Sequence, residues 1–186
     1  MLIRTVQGLL ATGLLAVAGV SHAGMATITG SLDTTDPQWN VCGSSLATGC
    51  YYDFYEFTVT LNGAYNFNAF YPGDTSIDEN LDGIIEIYQG SFDPTQPGVN
   101  AIGFDDDGPG GSNTSQILGL GLTAGTTYIY VQSSFSDVAT SFGQPTGPYE
   151  MTIDGPGDIN VGNGTDVPAP GMLFLLVSGL FGLGLL

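Results

Sequence analysis

The sequence predicts an all-β fold, an antiparallel β-sandwich of jelly-roll type, flanked by an N-terminal signal helix and a C-terminal hydrophobic helix. Three observations predict it. Segments with alternating apolar and polar residues recur through 24–157, Gly, Pro, Asp or Asn bounds each of them, and no amphipathic helical pattern separates them. About eight short segments of this kind are typical of sandwiches and jelly rolls.

The strands are predicted in chain order at 26–32, 55–61, 64–71, 83–89, 101–105, 115–122, 126–133 and 149–153. The segment 55–61, YEFTVTL, alternates strictly and is followed by Asn62-Gly63, a dipeptide that suits a two-residue type I′ turn. We therefore expect 55–61 and 64–71 to pair as a β-hairpin.

The first 23 residues are typical of a secretory signal peptide read by the Sec machinery. Arg4 supplies the positive region, 8–20 the apolar core, and Ser21-His22-Ala23 the small-x-small pattern, with cleavage expected after Ala23. An uncleaved membrane anchor is the alternative, although the apolar run is short for a bilayer span. Because Arg4 and His22 are the chain's only basic residues, the mature protein would contain no Lys, Arg or His.

The charge balance excludes several classes of function. With 18 acidic residues and a net charge of −17, the chain would repel a polyanion, so we expect no nucleic-acid binding. The usual histidine base and cationic phosphate clamps are also missing. A glycosidase using two carboxylates remains open, but the acids fall mainly in turns, and we expect no enzyme. Such a surface is suited to binding metal cations or to acting as a solubilising coat.

Cys42 and Cys50 enclose a short Gly- and Ser-containing segment. In an exported protein such a pair is expected to form a disulfide, which closes a small loop and stabilises the fold by about 2 to 3 kcal/mol. A zinc site is the alternative, but two thiols without a nearby histidine make a poor ligand set.

The first acidic loop, DENLDG, places Asp78, Asn80 and Asp82 at alternating positions before Gly83. Oxygens at this spacing can converge on one cation, as in the first half of an EF-hand loop. The bidentate acid of an EF-hand would fall at Gln89, so we expect a second loop to complete the ligand shell.

The second acidic loop, FDDDGPGG, contains Asp105, Asp106 and Asp107 ahead of a turn. Adjacent carboxylates repel one another, and Ca²⁺ bound by six to eight oxygens would relieve that repulsion. The alternative is that Asp-Gly pairs simply form good turns and that these acids are solvated. The two loops together predict a Ca²⁺ site.

The aromatic residues are predicted to be core packing in the main. Only Trp39 and one of Tyr51 or Tyr52 fall outside the alternating pattern. These side chains suggest an alternative function, a secreted accessory module that binds carbohydrate or matrix.

After the predicted domain 24–157, hydrophobic periodicity is lost, and 158–166 is predicted to be a flexible linker. The motif Val167-Pro168-Ala169-Pro170 then leads into the apolar segment 171–186. This arrangement resembles the PEP-CTERM sorting signal of exported bacterial proteins, with Ala169 at the position where Glu is usual. The resemblance implies transient anchoring in the inner membrane, cleavage by exosortase, and release to the cell surface or an extracellular polysaccharide matrix.

The segment 171–186 would form a helix about 24 Å long, slightly short for about 30 Å of hydrocarbon. The basic tail of the sorting signal would follow Leu186, and its absence indicates either a truncated sequence or weakened sorting. A soluble protein with an apolar C-terminus is the alternative.

The body of the chain, most of 51–157, has a second resemblance. Its order of strands and acidic loops, including IIEIYQGSFDP and GFDDDGPGGSNTSQILGLGL, is similar to the bacterial pre-peptidase C-terminal type of domain. That resemblance implies a non-catalytic β-sandwich whose acidic loops bind calcium, and it carries this role to Asp78, Asp82, Asp105, Asp106 and Asp107.

Overall fold

A computed structural model describes residues 23–40, 42–43, 49–73, 80–111, 114–141 and 143–162. The predicted signal helix, Asp78, the sorting motif Val167 to Pro170 and the apolar segment 171–186 lie outside these residues. The described strands are β1 (Gly24–Leu32), β2 (Gln38–Trp39), β3 (Cys50–Val59), β4 (Gly63–Phe70), β5 (Gly83–Gln89), β6 (Ala101–Asp105), β7 (Thr114–Leu122), β8 (Thr127–Ser134), β9 (Gly147–Gly155) and β10 (Ile159–Val161).

The strands form two antiparallel sheets. The first has the order β1-β9-β4-β7 and the second the order β10-β3-β8-β5-β6, with β2 pairing with β3. Buried side chains from both sheets share one core, in which the rings of Phe57 and Phe67 lie 5.8 Å apart across the sandwich. The predicted all-β sandwich is confirmed. Within the described ranges, the structure has no helix with the length and apolar character that a membrane crossing requires.

The predicted hairpin of 55–61 and 64–71 is wrong. β3 pairs with β2, β8 and β10, whereas β4 lies in the other sheet between β7 and β9. Among the described residues Asn100 is the only non-glycine with positive φ, and Gly63 is not among the positive-φ glycines. The Asn62-Gly63 pair is therefore not a type I′ turn, which needs positive φ at both positions.

The Asn62-Gly63 dipeptide serves instead to cross between sheets. Asn62 Oδ1 accepts a hydrogen bond of 2.7 Å from the Ala124 amide, which fixes the neighbouring loop. Gly63 is required for close approach, because an added Cβ would lie 2.5 Å from Cγ of Pro156. The alternation in 55–61 and 64–71 correctly indicated two strands. Alternation alone, however, does not show whether two strands pair within one sheet or face each other across the core.

A second apolar cluster covers the outer face of the second sheet. It contains Trp39, Tyr52 and Tyr88, and Phe92 packs against all three with ring centroids 4.9 to 5.5 Å apart. β5 is consequently buried on both faces, unlike a strand with one face in water. The predicted disulfide between Cys42 and Cys50 is confirmed at the edge of this cluster, with a Cα–Cα distance of 5.7 Å.

The predicted linker 158–166 begins too early. β10, Ile159–Val161, pairs with β3 at the edge of the second sheet, so the folded domain continues at least to Val161. Three residues are too few for period-2 alternation to be recognised, and the surrounding glycines give the signal of a loop.

Candidate functional site

Two acidic segments meet at one end of the sandwich. β5 and β6 are antiparallel, with Ile85 opposite Asp105. Antiparallel pairing brings the residue before one strand close to the residues after the other, so Asp82 lies near Asp106 and Asp107. One carboxylate oxygen from each of these three aspartates lies within 4.8 Å of the other two. We call Asp82, Asp106 and Asp107 the acidic triad.

The acidic triad extends from the protein interior to the surface. Asp82 is only 4% exposed, Asp106 is partly buried and Asp107 is exposed. Three converging carboxylates with one open side match the oxygen-rich ligand set that Ca²⁺ prefers.

Backbone hydrogen bonds hold the first segment of the site in place. The Gln144 amide donates to the carbonyl oxygen of Asn80 at 2.7 Å, and the Asp82 amide donates to the carbonyl oxygen of Gln144 at 3.1 Å. The Phe135 amide donates to the Asp82 carbonyl oxygen at 2.8 Å. Gly143 permits this approach, because a Cβ there would lie 2.7 Å from Cβ of Asp82.

A buried serine joins the two segments. The Ser115 hydroxyl lies 2.8 Å from the Gly83 carbonyl oxygen and 2.7 Å from the Asp106 carbonyl oxygen. The Tyr71 hydroxyl, 2.7 Å away, is its third partner. Ser115 and Tyr71 are both fully buried, so the backbone on either side of the triad is held by the core of the sandwich. Sequence reasoning missed both residues, because nothing in the pattern distinguishes them from ordinary strand residues.

Among the described residues, no hydrogen-bond donor or positive charge compensates the triad carboxylates. Burial, followed by repulsion from Asp106 and Asp107, raises the pKa of Asp82 to about 7. Burial and then the neighbouring carboxylates Asp107 and Asp105 raise the pKa of Asp106 to about 6. In the described part of the chain no donor reaches the buried Asp106 Oδ1, and no Lys, Arg or His follows His22 in the sequence. A proton or a bound cation would relieve this repulsion.

The other predicted ligands are placed differently. Asp105 does not join the triad, since its Oδ2 accepts a 2.7 Å hydrogen bond from the Gln116 amide of β7. Asn80 is 5% exposed, and its Oδ1 lies 1.5 Å from the position a Cβ would take on Gly73. A ligand role for Asn80 remains a prediction. Asp78 lies outside the described residues.

A second acidic site, missed by the sequence analysis, bridges the two sheets elsewhere in the core. The Tyr149 hydroxyl donates to Asp53 Oδ2 at 2.7 Å. Since that uses the only proton of Tyr149, the Tyr55 hydroxyl donates to the Tyr149 oxygen at 2.8 Å. Gly30 leaves room for the bridge, because a Cβ there would lie 2.2 Å from the Tyr149 hydroxyl. Burial raises the pKa of Asp53 to about 6, against the lowering effect of the Tyr149 hydrogen bond.

The carbohydrate platform predicted at Trp39 is wrong. Trp39 is 3% exposed and Tyr52 is 6% exposed, and both pack in the second apolar cluster. Tyr51 is partly buried against the main core. These rings appeared free because residues 38–39 form a two-residue strand whose alternation is too short to recognise.

Comparison with known proteins gives little more. No protein-family model matches the chain, and no curated protein matches it. Among solved structures, it is similar to PliG of Aeromonas hydrophila, a periplasmic inhibitor of g-type lysozyme. The identity is 15%, the TM-score is 0.37, and the match covers 74% of this chain and 88% of that chain. A TM-score this low supports no conclusion about fold or function.

Proposed function

We propose that this chain is an exported, non-enzymatic β-sandwich protein that binds Ca²⁺ at the acidic triad. The observation that carries the proposal is the convergence of three carboxylates within 4.8 Å, one of them 4% exposed. None of the hydrogen bonds among the described residues reaches the Asp82 carboxylate. Water and backbone carbonyls would complete the six to eight oxygens that Ca²⁺ requires.

Export is supported by the N-terminal pattern and by the disulfide. Disulfides persist mainly in oxidising compartments outside the cytosol, and Cys42 and Cys50 are joined. The resemblance of 167–186 to the PEP-CTERM signal supports a more specific route: export through Sec, transient anchoring in the inner membrane, and cleavage by exosortase. The product would reach the cell surface or an extracellular polysaccharide matrix.

A non-enzymatic role is supported by composition. After His22 the chain has no Lys, Arg or His, so catalysis would have to use carboxylates, tyrosines or a metal alone. The partly buried carboxylate of Asp53 already accepts a hydrogen bond from Tyr149.

Calorimetric titration of the purified exported protein with CaCl₂ tests the metal site. We expect saturable binding that is lost in Asp82→Asn and Asp106→Asn, because each change removes a charged ligand. Asp93→Asn is the matched control, since Asp93 lies in an exposed turn where its carboxylate accepts hydrogen bonds from Thr95 and Gln96. Absence of calcium binding by the wild type, or equal binding by Asp82→Asn, would contradict the proposal.

Cell fractionation of the bacterial host tests the sorting route. With Pro168 and Pro170 both changed to Ala, the protein should accumulate in the inner membrane instead of outside the cell. The matched control changes Pro145, a loop proline of the domain. An unaltered distribution of the Pro168/Pro170 variant would refute sorting and leave the calcium proposal untouched.

A further inference from the structure

The outer face of the first sheet carries polar side chains around one exposed aromatic ring. Antiparallel pairing sets Asn68 of β4 between Thr152 of β9 and Gln116 of β7. In the next row Phe70 lies opposite Glu150, and Phe70 is 52% exposed. The register thus places a ring beside amide, hydroxyl and carboxylate groups on one surface.

These side chains line an open depression of ≈ 340 Å³. Small-molecule sites commonly have volumes of about 300 to 1,000 Å³. Pro109 and Gly110 form part of its rim. The rim is fixed to β7, because the Gly110 amide donates to Thr114 Oγ1 at 3.0 Å and the Gly108 amide donates to the Thr114 carbonyl oxygen at 2.6 Å.

Hydrogen bonds within the sheet fix the floor of the depression. Gln116 Nε2 donates to Asn68 Oδ1 at 2.6 Å, and Asn68 Nδ2 donates to Asp154 Oδ1 at 3.4 Å. The hydrogen bond from Nε2 therefore fixes the orientation of the Gln116 side-chain amide. No donor among the described residues bonds to its other polar atom, Oε1. The Glu150 carboxylate likewise accepts no hydrogen bond from the described residues. The Gln116 side-chain amide is therefore preorganised, which lowers the entropic cost of binding a ligand, whereas Glu150 is an exposed side chain.

The chemistry of these groups selects one class of ligand. Gln116 Oε1 and the Glu150 carboxylate can accept hydrogen bonds from ligand hydroxyls, and the exposed Phe70 ring can pack against an apolar C–H face. Glu150 and Asp154 make the surface anionic, and no Lys, Arg or His of the domain offsets them. Anionic ligands are therefore repelled. A neutral saccharide has hydroxyl donors, a C–H face and no charge.

We propose that this depression binds a neutral saccharide, with Phe70 beneath a sugar ring and with Gln116 and Glu150 accepting hydrogen bonds from its hydroxyls. None of the three triad aspartates lines the depression, although Ser115, which does line it, lies 2.7 Å from the Asp106 carbonyl oxygen. The depression also differs from the platform expected at Trp39, which the fold buries.

Calorimetry of the full chain tests this site, in a zwitterionic detergent that contains no sugar. The probes are cellohexaose, maltohexaose and β-1,4-mannohexaose, with hexaguluronate as the anionic control and glucosamine hexamer as the cationic control. We expect at least one neutral probe to bind with a dissociation constant of about 1 mM or lower. Hexaguluronate should not bind.

The variants Phe70→Ala and Glu150→Gln should each weaken that binding, Phe70→Ala by about tenfold or more. Leu118→Ala is the matched control, because Leu118 is an apolar residue of β7 that is 64% exposed and does not line the depression. It should leave affinity unchanged, and unaltered melting temperatures would show that all three variants fold. The proposal is overturned if no neutral probe binds, if only the glucosamine hexamer binds, or if Phe70→Ala binds as well as the wild type.

Discussion

The acidic triad and the Asp53 site both remove aspartate from water, but they resolve its charge differently. Asp53 accepts a hydrogen bond from Tyr149, which in turn accepts one from Tyr55. After burial, the charges that raise the pKa of Asp82 are the like charges of Asp106 and Asp107. The hydrogen bond from Tyr149 makes Asp53 a structural residue that joins the two sheets. Asp82 has no such donor among the described residues, and this leaves its carboxylate suited to binding a cation.

The difference shows that burial alone does not identify a functional acid. Burial is the first cause of the raised pKa at both Asp53 and Asp82. What distinguishes them is the set of groups facing the carboxylate, since a donor stabilises its charged form and a second carboxylate opposes it.

Calcium should produce the largest effect, and only through the triad. At a Ca²⁺ concentration about 100-fold above the dissociation constant, binding stabilises the fold by about 2.7 kcal/mol. For a protein of this size the melting temperature should rise by about 5 to 10 °C. Asp82→Asn should abolish the rise, whereas Asp53→Asn, which keeps an oxygen to accept the Tyr149 bond, should retain it. Equal calcium shifts in the two variants would contradict the assignment.

The second-largest effect should be the pH dependence of the free energy of unfolding, measured on calcium-free protein in the presence of a chelator. Asp82 has a folded pKa raised to about 7, whereas an unfolded aspartate titrates near about 3.9. The folded state binds more protons between these values, so this stabilisation is complete below the unfolded pKa and is lost as pH rises through about 7. The free energy of unfolding attributable to Asp82 should fall by about 2 kcal/mol from about pH 5 to about pH 7.

Urea unfolding in chelator measures this change in wild type and Asp82→Asn. Asp106 and Asp53, whose pKa values are also raised, act in the same direction, so the Asp82 contribution is the difference between the two proteins. Parallel pH profiles would show that Asp82 does not titrate in this range.

Removing the Tyr149 hydroxyl should leave the Asp53 carboxylate without its hydrogen-bond donor. Tyr149→Phe leaves the Asp53 carboxylate partly buried without its hydrogen bond, at a cost of about 1 to 2 kcal/mol in the free energy of unfolding. Calcium affinity should not change. Tyr51→Phe is the control, because Tyr51 is only partly buried and forms no hydrogen bond through its hydroxyl among the described residues. Loss of calcium binding in Tyr149→Phe would mean that the two sites are not independent.

Asp105→Ala should have the smallest effect, and it should distinguish the structural role of Asp105 from the ligand role proposed for Asp106. It removes the acceptor for the Gln116 amide, which should lower the free energy of unfolding by about 1 kcal/mol. Calcium affinity should stay within about threefold of the wild type, while Asp106→Ala should lose it. A large loss of affinity in Asp105→Ala would place Asp105 among the ligands.

The local pattern predicted the strands better than their partners. Alternation located the strand at 55–61, because one face of β3 is buried, but it could not show that β4 lies across the core and not beside it. Trp39 and β10 were missed because two- and three-residue strands carry no recognisable period. Pairing and the covering of an outer face depend on contacts between distant parts of the chain.

The site was predicted by residue type and only partly by position. The two acidic loops do converge, through Asp82, Asp106 and Asp107. Sequence could not separate Asp105 from Asp106, because the end of β6 decides which carboxylate faces β7 and which faces Asp82. Nor could it show that Ser115 lies beneath both loops, since that contact joins residues far apart in the chain.

A crystal structure of the exported protein grown with saturating CaCl₂ tests the central claim most directly. We predict one calcium ion bound by oxygens of Asp82, Asp106 and Asp107 at about 2.3 to 2.6 Å, with Asp53 still accepting its bond from Tyr149. A calcium-saturated crystal with no ion between these three carboxylates, or with calcium bound only elsewhere, would contradict the account.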